Sequence, residues 1–231
     1  MEYLLEGLLQ AGILIFTLNP EVYQITWLTL RVSLVATLLA AATGIPFAVL
    51  LVEGDFRGKE GLITLLNTLM ALPTVVVGLS VFAFLSRQGP LGDLELLFTP
   101  TAIVIGECIL ATPVVTALTI AALKGVDPKV RETALTLGAS SARASLMVVL
   151  EARYAVTAAV IAGFARVVAE VGSALMVGGN IRYYTRTLAT AIALETGKGE
   201  FAFAVALGLI LIALAFAANI GFRLFTRRPR G

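Results

Sequence analysis

The chain has 231 residues, of which 58% are hydrophobic and only 14% charged, with a net charge of +2. Soluble domains carry roughly 25% charged residues, so this composition cannot coat a water-soluble globule, and +2 is too weak a balance to recruit nucleic acid. Histidine is absent and Cys108 is the single cysteine, which excludes a Ser-His-Asp triad, a His-based zinc site and an intrachain disulfide.

In the first 20 residues, Leu4, Leu5, Leu8, Leu9 and Ile13 recur at helical spacing before Asn19-Pro20 ends the run. This suits a helix over 1–22 lying in a membrane interface, with a sixth span as the competing reading. Glu2 and Glu6 without an early Lys or Arg argue against a cleavable signal peptide. Three uncharged runs then follow, Val32–Val52, Gly61–Ser86 and Phe201–Phe222, of 21, 26 and 22 residues. A helix needs about 20 apolar residues to cross the hydrocarbon core. Phe98–Leu123 qualifies with one internal charge, Glu107, and Tyr154–Val177 with two, Arg166 and Glu170. The pattern predicts an all-α membrane protein with five spans, over about 24–52, 61–86, 98–123, 150–177 and 201–225. Helices are required because unpaired backbone is too costly in lipid. Pro73 and Pro113 are expected to kink the second and third spans. Gly78, Ser80, Gly163, Gly172 and Ser173 are small residues of the kind found where helices pack closely or line a path.

Positive charge sets the orientation. The 53–60 loop, the 124–153 segment and the C-terminal tail together hold 11 Lys/Arg, against 4 in the opposite loops. The C-terminus, with its 227–231 tail, is therefore expected in the cytoplasm and the N-terminus outside. The expected location is the cytoplasmic (inner) membrane, multi-pass.

Between the third and fourth spans the sequence turns polar. Asp127-Pro128 is a helix start, an N-cap acceptor followed by proline at the first helical position. Val130, Ala134 and Leu137 fall on one face, Gly138 stands where a left-handed C-terminal cap wants glycine, and Ser140 or Ser141 can cap a second helix running through the next span. This loop, 124–149, resembles the EAA loop of type I ABC importer permeases: Glu-Ala-Ala, three residues, Gly, nine residues, then an aliphatic, one residue, Leu and often Pro. Here Glu132-Thr133-Ala134 precedes Gly138 by that interval, and Val148, Val149 and Leu150 follow nine residues later. Thr133 replaces an alanine and Glu151 stands where proline is common. The resemblance covers roughly Trp27 to Phe225 and implies a MetI-like five-span bundle, an ABC transmembrane type-1 domain over 23–226. It further implies that Arg131, Glu132, Thr133, Ala134, Leu135, Leu137, Gly138 and Ala139 form a cytoplasmic coupling helix that docks on a separate ATPase.

Arg166 and Glu170 are four apart and so share one helical face. Charges inside spans usually pair and face the bundle interior, and mutual neutralisation outweighs substrate contact as their reading. Glu107 is alone in its span: protonated, paired with Arg166, or near an interface. The stretch "FARVVAEVGSALMVGGN" resembles the permeases of molybdate and tungstate importers, which makes Glu107, Arg166, Glu170, Gly172 and Ser173 candidates for the pathway. After it, Thr185 is expected to open a short helix reaching Thr196. Asn180, Arg182, Thr185 and Arg186 at that helix start suit an oxyanion, although an ordinary outer loop with Tyr183 and Tyr184 at the interface fits each residue singly.

The resemblance implies a homodimer with two cytoplasmic ABC ATPases and an extracytoplasmic substrate-binding protein. No nucleotide motif occurs in this chain, so no cofactor is expected in it, ATP-Mg belongs to the partner ATPase, and neither a metal site nor a catalytic residue is expected. Cargo ranks tungstate, then molybdate, then sulfate. The competing class is an intramembrane enzyme using Glu107 and Glu170 as an acid pair, which would leave the EAA-like loop unexplained.

Overall fold

The computed structural model describes residues 8, 9, 12–14, 16, 17 and 19–226, with side chains to 221. Half of the expected interfacial helix at 1–22, and the whole of the 227–231 tail, fall outside the described residues. Among those described there is no strand. The helices are α1 Pro20–Glu53, α2 Lys59–Leu69, α3 Thr74–Leu85, α4 Pro100–Lys124, α5 Pro128–Thr136, α6 Ser141–Glu151, α7 Arg153–Val168, α8 Gly172–Gly178, α9 Leu188–Lys198 and α10 Phe201–Thr226, with a 3-10 turn at Gly92–Leu94.

Among the described residues, three helices, α1, α4 and α10, are individually long and apolar enough to cross a membrane, and the number rises to five if each of two bent pairs is one span. The first bent pair, α2 and α3, turns by 100° where a kink was expected. Pro73 has no N–H and occupies the N-cap of α3, so the α2 ladder cannot continue through it. Pro113, by contrast, is accommodated inside an unbroken α4. The second bent pair, α6 and α7, turns by 72° at Ala152, which caps both helices. The second helix of the polar segment therefore does not run straight into the following span, as the sequence reading had it. The expected continuous fourth span at 150–177 is also interrupted: α7 stops at Val168 and α8 starts at Gly172.

α1 and α4 pack along one another and form the spine. The main core joins Val32 and Ala40 of α1, Val77 and Val81 of α3, Ile103, Leu110 and Val115 of α4, Val167 of α7 and Val177 of α8. A second cluster at the C-terminal end of α1 holds Leu51, Leu66, Ile120, Leu123 and Val156. A third at its N-terminal end holds Val22, Ile25, Leu188, Ala191 and Leu207, binding α9 and α10 to it. Outward-facing Leu38, Leu50, Phe84, Ile212 and Phe216 remain exposed, an apolar exterior that lipid rather than water covers.

α3 and α8 cross through small residues. A Cβ on Gly78 would lie 2.8 Å from Ser173 Cα, and one on Gly172 would lie 2.7 Å from Thr74 Oγ1. Gly78→Val is expected to destabilise the detergent-solubilised protein by about 1–3 kcal/mol through overpacking, read as a fall in Tm. An unchanged Tm would contradict this crossing.

Candidate functional site

Three polar regions interrupt the apolar bundle. The first is the helical hairpin α5–α6. Asp127 Oδ1 accepts from Lys129 N at 2.9 Å and Pro128 opens the helix, so the start is built from local chemistry alone. The end is equally local: Gly138 N donates to Leu135 O and Ala139 N to Ala134 O, both at 3.0 Å, the paired bonds of a Schellman cap. Gly138 has φ +88, and nothing lies within 4 Å of where its Cβ would be. Its glycine thus serves the left-handed turn and no close approach within this chain. No residue of α5 is buried. Of the expected apolar face, Val130 and Ala134 are half-buried, while Leu137 is 83% exposed and Leu135 also reaches solvent. Arg131, Glu132, Thr133 and Ala139 complete the segment on this projecting element.

The hairpin is held to the bundle by a residue that sequence reading had missed. Glu53, the last residue of α1, accepts from Ser145 Oγ at 2.6 Å and pairs with Arg131 Nε at 3.6 Å. Arg131 Nη2 also donates to Ser141 Oγ at 3.2 Å. The separation of Glu53 and Ser145 by 92 positions explains why no local pattern announced it.

The second region lies in the bundle centre. Arg166 Nη1 and Glu170 Oε2 meet at 2.9 Å, the expected pair, though Glu170 lies beyond the end of α7 rather than within a continuous helix. Glu170 Oε1 accepts from Ser173 N at 3.1 Å. One carboxylate thus both neutralises Arg166 and caps the start of α8, where the backbone is interrupted. Glu107 is 2% exposed, and Arg166 pairs with Glu170 rather than with it. Glu107 and Ser33 are buried against one another, and Ser173 Oγ is buried with no hydrogen-bond partner among the described residues. Glu170 is engaged on both oxygens.

The third region lies at the other end of α1. Arg182 makes a two-point pair with Glu21, Nε to Oε1 at 2.9 Å and Nη2 to Oε2 at 2.6 Å. Arg186 Nη1 lies 3.3 Å from Glu21 and 3.6 Å from Glu195, which also pairs with Lys198 at 3.0 Å. Glu21 precedes the apolar 24–52 stretch, and the Arg182 hydrogen bond holds its carboxyl below the ordinary value of 4.5. Its contribution is therefore present above the ordinary carboxylate range and fades as pH falls through the lowered value. Arg182 and Arg186 therefore both lie against Glu21, in a network where three cations, with Lys198, share the two carboxylates of Glu21 and Glu195. The helix also begins later than expected, at Leu188 rather than Thr185. Thr187 and Thr190 form a capping box, and Leu188 N donates to Thr29 Oγ1 at 2.8 Å, so these N-terminal amides are occupied. Thr185 is buried and stitches the loop, donating to Gly178 O and accepting from Ile181 N. Asn180 takes a positive φ of 50 and donates to Thr190 O at 3.4 Å.

The family described as binding-protein-dependent transport system inner membrane component matches residues 40–231. A probable anion ABC transporter permease protein of Haloferax volcanii is 43% identical over 76% of this chain and 78% of that protein. The tungstate uptake system permease protein TupB of Peptoclostridium acidaminophilum is 38% identical over 84% of this chain and 85% of its own length. Among solved structures, an inward-facing conformation of the MetNI methionine ABC transporter superposes with a TM-score of 0.72, covering 91% of this chain and 99% of that one at 18% identity. The chain belongs to the binding-protein-dependent transport system inner membrane component family. It is a permease and not an enzyme; ATP hydrolysis belongs to a partner chain.

Glu170 is buried and Arg166 half-buried, so removing Arg166 strands a buried carboxylate, whereas removing both charges does not. Arg166→Gln is therefore expected to lower Tm more than the double variant Arg166→Gln/Glu170→Gln, in which the amide oxygen still caps Ser173. A double variant less stable than Arg166→Gln would contradict the pairing.

Proposed function

We propose that this chain forms the membrane pathway of an ATP-driven tungstate importer, working as a homodimer above two cytoplasmic ATPases and receiving cargo from an extracytoplasmic binding protein. The observation that carries the reading is the exposed, doubly capped hairpin at one end of the bundle, with Leu135 and Leu137 uncovered. An apolar patch with a charged rim suits a small docking interface. Arg131, Glu132, Thr133, Ala134, Leu135, Leu137, Gly138 and Ala139 are assigned to that contact. In this orientation the hairpin and C-terminus face the cytoplasm, and the Glu21–Arg182 end faces outward with the N-terminus. The 11-to-4 bias in Lys/Arg supports it.

The hairpin is rigid because both ends of α5 are capped, so closure of the ATPases displaces it as a body. Its displacement passes to the ends of α1, α4 and α7 through the cluster containing Leu51, Leu123 and Val156. The centre moved by those helices holds Glu107, Arg166, Glu170, Gly172 and Ser173, assigned here to the pathway and its gate. Interrupted backbone at membrane depth is tolerated where protein buries it or where it lines a cavity, and the break at 169–171 fits that place. ATP-Mg is held by the ATPase, and this chain needs no cofactor.

The cargo rests on the relatives named for an anion and for tungstate; molybdate is the alternative, with sulfate behind it. Gly138→Val strains a left-handed turn, and Glu132→Lys reverses a charge on the docking face. Both are expected to reduce ATP-dependent tungstate uptake into proteoliposomes to background, with membrane insertion unchanged. Normal uptake in both variants would remove the basis for assigning the hairpin to coupling.

A further inference from the structure

Resting on the docking reading of the hairpin, we propose that Glu53 is a positioning residue for transport. It would be the latch through which hairpin motion reaches the first membrane helix.

The geometry is specific. Glu53 terminates α1, the 34-residue helix that packs along α4 and anchors α9 and α10 at its far end. Its two carboxylate oxygens reach both helices of the hairpin: Oε2 accepts from Ser145 of α6 at 2.6 Å, and Oε1 faces Arg131 of α5 at 3.6 Å. A hydroxyl-to-carboxylate bond of that length is charge-assisted and among the stronger kinds. Arg131 also binds Ser141, and Ser145 Oγ lies 2.9 Å from Ser141 O, so Glu53, Arg131, Ser141 and Ser145 form one polar knot. Beside it, Lys59 Nζ donates to Val52 O at 3.1 Å, which ties the start of α2 to the same point.

A partly exposed knot contributes little to stability, so a merely structural role would leave few consequences when it is cut. Its placement suggests another use. The hairpin meets the bundle covalently through the chain entering at Gly125 and Val126 and through the 72° bend at Ala152. Both connections lead to α4 and α7. The Glu53 knot gives the hairpin a direct polar hold on α1 as well. With it, ATPase closure displaces α1 together with α4 and α7. Without it, α1 follows only through the softer apolar packing around Leu51.

The test uses the full chain co-purified with its ATPase and reconstituted with the binding protein, with tungstate as probe and Cys108 left in place. Three quantities are read: ATPase retained by the permease, ATP hydrolysed, and tungstate taken up. Glu53→Gln and Ser145→Ala are expected to retain the ATPase and a normal elution profile, while uptake per ATP falls about tenfold, the scale of one lost charge-assisted hydrogen bond. The double variant is expected to be no worse than either single, because both cut one contact. Ser145→Thr, which keeps the hydroxyl, is expected to restore coupling. Unchanged uptake per ATP in Glu53→Gln and Glu53→Ala, with ATPase bound, overturns the latch alone. Loss of the ATPase from the Glu53 variants also overturns it, since Glu53 would then belong to docking. Full ATPase retention by Leu135→Asp/Leu137→Asp overturns the docking reading itself.

Discussion

Hydrocarbon offers no hydrogen bonds, so every place where a membrane helix stops short must be closed by the protein. Two such breaks lie at 70–73 and at 169–171. At the first, Ala71 N and Leu72 N fall back on carbonyls one turn earlier, and Pro73 has no N–H to satisfy. At the second, Glu170 supplies the closure: its backbone N–H returns to Val167 O, its Oε1 takes the amide of Ser173, and its Oε2 holds Arg166. A single buried carboxylate thereby caps the start of α8 and pairs with a half-buried cation across the break. The two breaks are in contact, since Gly172 sits against Thr74 and Gly78 against Ser173. The interior of this permease is built around a crossing of two half-helices.

The same bundle is pinned at both ends of α1. At one end Glu21 gathers Arg182 and Arg186, and at the other Glu53 gathers Arg131 and Ser145. A 34-residue helix is about 50 Å long, enough to project beyond both sides of a hydrocarbon core of about 30 Å. The acids therefore lie where water and positive side chains are available, and each fastens a different non-spanning element to the spine. The Glu21 network holds a loop in place, whereas the Glu53 knot holds the element that moves in the proposed mechanism.

Much of this was legible in the sequence because its signals are local. Asp127-Pro128 and Gly138 fix the ends of α5 through bonds within a few residues, and the uninterrupted runs around α1, α4 and α10 needed only their length. The EAA-like spacing led to the family that the comparisons establish. What stayed hidden depends on distant partners. Ala169-Glu170-Val171 contains no proline, and the carboxylate contacts that bridge the break leave no local signature. Glu21–Arg182 and Glu53–Ser145 join positions 161 and 92 apart. Nor does any local pattern place Glu21 and Glu195 against Arg182 and Arg186. The start of α9 was misplaced by three residues because Thr185 and Thr187 are both plausible caps, and only Thr187 has the Thr190 hydroxyl to answer it.

The central claim is that the capped hairpin is the cytoplasmic contact of the ATPase, and its most direct test is sidedness. Leu137→Cys in a Cys108→Ser background puts a lone thiol on the most exposed apolar residue of that segment. A membrane-impermeant maleimide should label it in inverted vesicles and not in intact cells, and bound ATPase should block the labelling. Labelling from outside, or labelling indifferent to the ATPase, would contradict the account.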